Sequence, residues 1–376
     1  MRILFAAADA YGRVFPLLPL ADAARAAGHD VLFATGEGMF PALHRAGIAT
    51  VRAGIPHVDA FNKVIAARTV PGEDANALAE RMPDIGTTVF GDIVPRTMFA
   101  TVRPVIDRFR ADLVISEIGN PGAWFAAEHA GVPAFGTTWG PVASTPITRQ
   151  AADRTAKVAA DLGVSGVVPY LDICPESLQS PGFRAGMERI PMRPVGWSFP
   201  DDELPALVAN RTRPVVYVTV SSAMDTVEST TLRDIATGLS RLPVDVLLST
   251  GAVHEDLTGL PDNVHVESWV PQSLVVPHTA LVVHHGGPGA MLNTLAAGLP
   301  QLVLPDPQNV ESASSSVLES GTGAVLPQDE VTPEAIYEVA KALLADEAVH
   351  AKAAALAQEI AAMPPPAQVV ELLEQR

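Results

Sequence analysis

The sequence is poor in cysteine, in basic residues and in long apolar runs. Cys174 is the only cysteine among 376 residues, so no disulfide forms within the chain, and this composition suits a reducing cytoplasm. Lys and Arg total 25 against 42 Asp and Glu, and the net charge of −17 disfavours nucleic acid and anionic membranes as partners. No run reaches the ~18 apolar residues that a membrane span needs. Asp9 and Arg13 interrupt the first apolar segment, which favours a buried strand over a signal peptide.

A glycine-rich signature is also missing after the first predicted strand. Without a Gly-x-Gly-x-x-Gly motif there, a dinucleotide-binding oxidoreductase is a poor candidate. Hydrophobic residues make up 48% of the chain and charged residues 18%, which indicates a globular protein rather than a disordered one. The length is sufficient for two domains of ordinary size.

Predicted strands and helices alternate along the N-terminal half, which is typical of a parallel sheet with helices on both faces. In such folds ligands bind at the carboxyl ends of the strands. The segment 54–96 breaks the alternation, and we interpret it as a long irregular excursion, either a binding loop over the active face or a surface loop without a role. His57, inside this segment, is interpreted as a surface histidine. The predicted strands cover 2–8, 29–34, 112–116 and 133–137, and the predicted helices cover 14–27, 40–46 and 123–130.

A cluster of prolines around an acidic run near residue 200 indicates a linker. Beyond it the alternation resumes, so the predicted fold class is α/β, with two doubly wound Rossmann-like domains. We expect a first domain over 1–200, a linker over 201–212, a second domain over 213–362, and a tail over 363–376 whose helix packs back on the first domain. The later predicted strands cover 214–220, 245–249, 264–267, 281–283 and 301–304, and the tail helix covers 368–373.

The hexapeptide HHGGPG at 284–289 is the most informative motif of the chain. It follows a short apolar run and precedes a helical pattern at 291–297 that Gly298 and Pro300 end. A strand, a glycine turn and a helix N-terminus present backbone N–H groups and a positive dipole end, where an anion such as a diphosphate binds. Glycine turns of this kind are common, and the paired histidines make the motif more specific. We expect His284 to be structural and His285 to face the phosphate.

Three motifs of the C-terminal half together resemble the nucleotide-sugar-dependent glycosyltransferases of GT-B fold: WVPQ at 269–272, HHGGPG at 284–289 and AAGLPQLVLP at 296–305. The N-terminal half resembles the same family at RILF (2–5), GRVFPL (12–17) and AGHDV (27–31), so the resemblance covers nearly the whole chain. DICP at 172–175 and MPPPA at 363–367 resemble the actinomycete antibiotic branch, and within it the C-glycosyltransferases of angucycline-type aromatic polyketides. The resemblance implies two domains facing each other across a cleft. The first would bind the acceptor and the second a nucleoside diphosphate sugar, usually a thymidine diphosphate (TDP) deoxysugar.

The resemblance also assigns donor-binding residues, each at or just beyond a predicted strand end. Trp269 would lie against the base and the Val270 backbone would pair with it, although a lone tryptophan is by default a core aromatic. Ser222 would add a hydroxyl near the phosphates, or would merely cap the next helix. The diphosphate would be held by the His285 side chain and by the backbone amides of Gly287, Gly289 and Ala290.

The chain departs from the family pattern at two places. The family carries its general base, a histidine, directly after a glycine of the first loop, where this chain has Arg13, and an arginine cannot accept a proton at neutral pH. This change favours C-glycosylation of a phenol, O-glycosylation of an acidic phenol, or another base, for which Glu117 is the first candidate and Asp9 the second. Arg13 would then bind an acceptor carbonyl or phenolate, or form a surface ion pair. Asn309 and Val310 replace the usual Asp-Gln pair that binds sugar hydroxyls, which suits a deoxysugar. The remaining candidates for contacts with the sugar are Asp306, Gln308, Asn309 and Glu311, and we assign Asn309 to the donor.

We therefore expect an inverting glycosyltransferase that moves a deoxysugar from a TDP-sugar to an aromatic polyketide or similar acceptor, with C-glycosylation slightly favoured over O-glycosylation. Neither a metal nor another cofactor is expected, because the helix dipole at the glycine turn neutralises the leaving group. The rival interpretation is a non-catalytic partner of similar fold. Arg13 keeps that rival open, and the retained diphosphate residues argue against it. A homodimer is compatible with the sequence, which leaves the oligomeric state open.

Overall fold

The computed structural model describes residues 1–68, 75–142, 145–219, 229–251, 257–305 and 313–376. These residues form two compact units. The first comprises Met1–Ile173, Ser180–Met192 and Pro364–Arg376, and the second comprises Cys174–Gln179 and Arg193–Met363. Within the described ranges, no helix is both long enough and apolar enough to cross a membrane.

The first unit is built around one parallel sheet. Its strands are β1 (Arg2–Ala6), β2 (Asp30–Thr35), β3 (Ala49–Arg52), β4 (Leu113–Glu117), β5 (Ala134–Thr137), β6 (Tyr170–Asp172) and β7 (Arg189–Pro191). They lie in the order β3-β2-β1-β4-β5-β6-β7, and every neighbouring pair is parallel. The strand order changes direction between β1 and β4, and ligands of doubly wound sheets bind at the carboxyl ends of the strands at such a switch point.

Helices cover this sheet, and the predicted alternation of the N-terminal half is confirmed. The predicted strands agree with β1, β2, β4 and β5 to within two residues at either end. The helices are α1 (Tyr11–Val14), α2 (Leu18–Ala26), α3 (Phe40–Arg45), α4 (His57–Arg68), α5 (Ala75–Thr88), α6 (Val94–Phe109), α7 (Gly122–Ala130), α8 (Pro146–Leu162) and α9 (Pro181–Gly186). Short 3-10 turns lie at Phe15–Leu17 and Glu37–Met39.

The interpretation of 54–96 as an irregular excursion is wrong for the residues that the structure describes. This part of the chain holds α4, α5 and the start of α6, and a π-helical segment, Val89–Ile93, joins α5 to α6. Two of the prolines that suggested a loop lie in helices: Pro95 is in the first turn of α6, a position that tolerates proline, and Pro83 is inside α5. The helices pack through a buried apolar cluster that comprises Ala60, Val64, Ile85, Val89 and Val94.

In its described residues, the second unit repeats the same topology with six strands. They are β8 (Val215–Thr219), β9 (Asp245–Ser249), β10 (Val264–Glu267), β11 (Leu281–His284), β12 (Gln301–Val303) and β13 (Gly323–Val325). The order is β10-β9-β8-β11-β12-β13, again with parallel neighbours, so the predicted class of two Rossmann-like domains is confirmed. The helices are α10 (Ala206–Ala209), α11 (Ser229–Ser240), α12 (Gln272–Val275), α13 (Pro288–Ala296), α14 (Ala313–Ser320), α15 (Pro333–Ala345) and α16 (Glu347–Ala362), with 3-10 turns at Val276–His278 and Gln328–Glu330.

The chain ends in the first unit, with helix α17 (Pro366–Glu374). α17 contacts α2 and buries Val369, Val370 and Leu373. Near its end, Glu374 Oε1 lies 2.9 Å from His29 Nε2. The final residue, Arg376, forms an ion pair with Glu188 at 2.8 Å.

Candidate active site

The glycine turn of the second unit joins the buried strand β11 to helix α13. Gly286 has a φ of +91°, a conformation that side chains rarely adopt, so the turn requires glycine at this position. Gly287 is the N-cap of α13 and Pro288 its first residue, and no side chain caps this end. The N–H groups of Gly289 and Ala290 lie in the uncapped first turn. This is the arrangement that binds anions at a helix N-terminus.

The His285 imidazole lies directly against Gly287. A Cβ atom on Gly287 would be 2.7 Å from His285 Nε2, so any larger residue at 287 would displace the imidazole. His284 points the other way, into the unit, and is almost fully buried. Burial lowers the pKa of His284 to about 4, and the neighbouring His285 adds to the effect, so His284 is neutral at physiological pH.

Trp269 and Val270 follow strand β10 and differ sharply in exposure. Val270 is buried, in a cluster with Val275, Val276 and Val282. Trp269 is 44% exposed, so it is not a core aromatic. An exposed indole suits the stacking of a nucleotide base. Ser222 and Asn309, the other two residues assigned to the donor, lie outside the described residues.

In the first unit, the carboxyl ends of β1, β4 and β5 bring three side chains together. The Arg13 guanidinium stacks on the Trp139 ring with 3.3 Å between its central carbon and the ring centroid. The Trp139 Nε1–H donates to Glu117 Oε2 at 3.0 Å. Arg13, Trp139 and Glu117 thus form one cluster of side chains in contact, which we call the Arg13 stack.

Glu117 is enclosed within the Arg13 stack. Its side chain is buried, and its carboxylate also accepts the Gly119 N–H at 2.6 Å and the Ala8 N–H at 3.4 Å. Gly119 permits this close approach, because a Cβ atom there would be 2.8 Å from the Trp139 ring. Burial raises the pKa of Glu117, and the Arg13 charge and the three N–H donors oppose that rise. In the same way burial lowers the pKa of Arg13, and the Glu117 charge opposes it.

Asp9, the second candidate base, lies in a different place. It packs between the loops after β1 and β2, where Gly38 N–H donates to its Oδ2 at 3.4 Å. A Cβ atom on Gly36 would collide with the Asp9 carboxylate, so the carboxylate fits a cradle formed by two glycines. A cavity of about 240 Å³ adjoins it, with Glu37 and Arg52 among the lining residues. This environment indicates a residue that holds two loops together.

His57 is a feature that sequence reasoning missed. It is half-buried at the start of α4 and meets the Phe90 ring edge to face, with centroids 5.2 Å apart. Phe90 itself is 37% exposed on the π-helical segment and also contacts Phe61, at 5.8 Å. Burial, together with the nearby charge of Arg13, lowers the pKa of His57 to about 4. The surface-histidine interpretation is therefore corrected: His57 belongs to an aromatic wall beside the Arg13 stack.

Comparison with known proteins fits both halves of this geometry. Residues 22–201 match the N-terminal domain of erythromycin biosynthesis protein CIII-like proteins, and residues 234–375 match their C-terminal domain. The chain belongs to this family. It is therefore a glycosyltransferase of GT-B fold.

Relatives of this glycosyltransferase align over its whole length. It is 30% identical over 409 residues to the elloramycin glycosyltransferase ElmGT of Streptomyces olivaceus, an alignment that covers 99% of this chain and 97% of that one. It is 29% identical over 388 residues to the L-demethylnoviosyl transferase of Streptomyces niveus, with 100% and 99% covered. Among solved structures, the Streptomyces sp. SF2575 glycosyltransferase SsfS6 complexed with thymidine diphosphate matches with a TM-score of 0.81 and 25% identity, and 100% of both chains is covered.

The described residues of this glycosyltransferase contain no group of three or more His, Cys, Asp or Glu side chains that is placed to hold a metal ion. A second cavity of the first unit, of about 360 Å³, lies at the amino ends of β4 and β5, with Asp112 and Pro133 among its lining residues. Ligands of parallel sheets bind at the opposite edge, so this cavity is not assigned to the reaction.

Proposed function

We propose that this glycosyltransferase moves a deoxysugar from a TDP-sugar to an aromatic acceptor that reacts as a phenolate, with inversion at the anomeric carbon. Thymidine diphosphate is bound in the solved structure of the 25% identical SsfS6. A 26% identical relative of Streptomyces peucetius is named TDP-daunosamine transferase. On the donor side, we assign Trp269 to the thymine ring of the nucleotide. The diphosphate is assigned to His285 and the first turn of α13. Ser222 and Asn309 remain assigned to the donor on the resemblance alone.

The observation that carries the proposal is the Arg13 stack. An acceptor hydroxyl must lose its proton to become a good nucleophile, and Arg13 occupies the position of the usual base. A cation at that position lowers the pKa of a phenol beside it, so an acidic phenol gives up its proton to water and binds as its phenolate. Stacking on Trp139 fixes the guanidinium, and the buried Glu117 charge stabilises it.

The surroundings of Glu117 support a role other than the predicted base. Its carboxylate is buried and already accepts three N–H groups, which leaves little access for an acceptor proton. We therefore assign Glu117 as the counter-ion of Arg13. Asp9 is likewise assigned to loop packing on account of its glycine cradle.

The aromatic wall favours a flat acceptor. Phe90 exposes part of its ring, and His57 beside it is neutral at physiological pH, so the wall adds no charge that competes with Arg13. Offset and edge-to-face contacts with aromatic rings are favourable for a planar polyketide. π-Helical turns such as Val89–Ile93 are frequent at functional sites.

A phenolate can attack through oxygen or through the ring carbon beside it, and the proposal favours carbon. In that case a carbon–carbon bond forms at the anomeric centre while the bond to the diphosphate oxygen breaks. The nucleoside diphosphate leaves with the electron pair, and the ring carbon then releases its proton to water and becomes aromatic again. The leaving group is stabilised by the helix N-terminus and His285. The likeness to angucycline-type C-glycosyltransferases belongs to this proposal.

Turnover with a TDP-deoxysugar tests the proposal. The acceptors are a polyphenolic aromatic polyketide and its methyl ether, in which every phenol is blocked. We expect product from the phenol alone, and a product that resists acid hydrolysis because its new bond is to carbon. An acid-labile product would assign attack to oxygen. Equal turnover of the methylated acceptor at an aliphatic hydroxyl would refute the proposal that the acceptor reacts as a phenolate.

A further inference from the structure

A line of polar side chains, three of them buried and the last half-buried, runs from the glycine turn to helix α14. It comprises His284, Gln301, Thr322 and Ser320, and the first three are at most 1% exposed. Gly286 N–H lies 3.1 Å from His284 Nδ1, and His284 Nε2 lies 2.8 Å from Gln301 Oε1. Gln301 Nε2 lies 3.3 Å from Thr322 Oγ1, which is 2.9 Å from Ser320 Oγ. Ser320 Oγ lies 3.2 Å from the Val317 carbonyl oxygen.

The two ends of this line fix the direction of every hydrogen bond in it. The Gly286 amide can only donate, so His284 Nδ1 accepts and the proton of the neutral ring is on Nε2. His284 therefore donates to the Gln301 carbonyl oxygen, and the Gln301 amide nitrogen donates to Thr322. The Val317 carbonyl can only accept, so Ser320 gives it its single proton and the Thr322 hydroxyl donates to Ser320. Each hydrogen bond of the line therefore has one possible direction.

We propose that this line, which we call the His284 relay, is a positioning network that holds the glycine turn in the shape that binds the donor's diphosphate. This inference rests on the proposed donor site. His284 acts through the Gly286 amide and is therefore a positioning residue. The relay also occupies the Gly286 N–H, so the diphosphate is left with His285 and the amides that follow in the first turn of α13.

The relay connects the glycine turn to the elements around it. Its four side chains come from β11, β12, the residue before β13 and the end of α14, so it links the turn to three neighbouring elements. The turn itself has a positive φ at Gly286 and no side-chain cap, so the local sequence gives it little rigidity of its own. A buried polar group that loses one partner is left unsatisfied, and the rest of the line is expected to shift in response.

The histidine tautomer tests the relay independently of any nucleotide. In protein labelled with ¹⁵N in the histidine rings, the His284 signal, assigned with the His284→Asn variant, should show the neutral Nε2–H tautomer at pH 7. Thr322→Val should change the His284 ring shifts, because Gln301 loses its acceptor. An Nδ1–H tautomer, or His284 shifts that do not respond to Thr322→Val, would overturn the relay.

Thymidine diphosphate affinity tests what the relay does. Thr322→Val should weaken binding ~3- to 10-fold in calorimetry, which corresponds to the loss of one hydrogen bond. Thr279→Val is the matched control: Thr279 is also a buried threonine of this unit, and its hydroxyl donates to the Val276 carbonyl at 2.8 Å, outside the relay. It should bind as the wild type does. Equal affinity of the two variants would refute the positioning role, whereas a wild type that does not bind thymidine diphosphate would refute the proposed donor site.

Replacement of His284 separates the acceptor at Nδ1 from simple filling of space. His284→Asn keeps an oxygen near the Nδ1 position for the Gly286 N–H, and His284→Leu keeps volume without an acceptor. We expect His284→Asn to retain more affinity than His284→Leu and to raise the donor KM with little change in kcat. If His284→Leu does not fold, the Thr322→Val affinity and the His284 tautomer still test whether the relay positions the glycine turn. Equal affinity of the two folded His284 variants would contradict the relay.

Discussion

Replacement of Arg13 by methionine should raise the pH at which the acceptor becomes reactive. The substitution keeps an apolar side chain over Trp139 and removes the guanidinium, whose central carbon lies 3.3 Å from the Trp139 ring centroid. A hydrogen bond from a charged donor contributes ~1.5–3 kcal/mol, and one pKa unit corresponds to about 1.36 kcal/mol. The pKa of the bound phenol should therefore rise by ~1–2 units. At pH values below that pKa, kcat/KM for the acceptor should fall ~10- to 100-fold.

The assay is the pH profile of kcat/KM for a phenolic acceptor at saturating donor. Wild type should reach its plateau ~1–2 pH units earlier than Arg13→Met, with the two rates converging at high pH. Arg13→Lys is the control, since it keeps the charge without the planar group that stacks on the indole, and it should fall between the two. The donor KM should stay constant, because the assigned donor residues belong to the second unit. A uniform loss of rate at every pH would refute the phenolate reasoning.

Three further predictions concern Gly287, Glu117 and the two histidines with lowered pKa values. Gly287→Ala should weaken thymidine diphosphate binding at least ~10-fold, because its Cβ would displace the His285 imidazole, whereas Gly182→Ala, whose Cβ meets nothing within 4 Å, should bind normally; equal calorimetric affinities would contradict this. Glu117→Gln should lower kcat by less than ~10-fold, and a loss of 100-fold or more with unchanged folding would instead identify Glu117 as the base. Acidification should destabilise the fold between about pH 6.5 and 4, because His57 and His284 have folded pKa values of about 4 and the unfolded chain takes up their protons first. For the buried His284, the free energy of unfolding falls by roughly 3 kcal/mol across this range, and its contribution is fully present above about pH 6.5. Urea unfolding of His284→Gln should therefore depend less on pH than that of the wild type.

The glycine turn could be predicted from the sequence because its signals are local. The chain has a short apolar run, three glycines and a helical pattern one after another between residues 280 and 297. Both β11 and α13 start and end within three residues of the prediction. The same holds for most strands of both sheets. The relay behind the turn could not be predicted, since Gln301 and Thr322 reach His284 only through the pairing of β11, β12 and β13.

The acceptor side was harder to predict for the same reason. Arg13, Glu117 and Trp139 are far apart in the chain, and only the order of β1, β4 and β5 brings them together. The sequence identified Arg13 as unusual and Glu117 as a strand-end carboxylate, but it gave no sign that Trp139 links them. The helices at 57–68 and 75–93 were missed because their segment mixes prolines, glycines and charges in a way that suggested a loop, and His57 was misinterpreted with them.

The ionisation state of a bound acceptor shows directly whether Arg13 binds the phenolate. A chromogenic phenol of the acceptor class is titrated between about pH 5 and 10, free and bound to the enzyme with thymidine diphosphate, and its phenolate absorbance is recorded. We expect a bound pKa at least ~1 unit below the free value in the wild type, and no such shift in Arg13→Met. A bound pKa equal to or above the free value would refute the role assigned to Arg13.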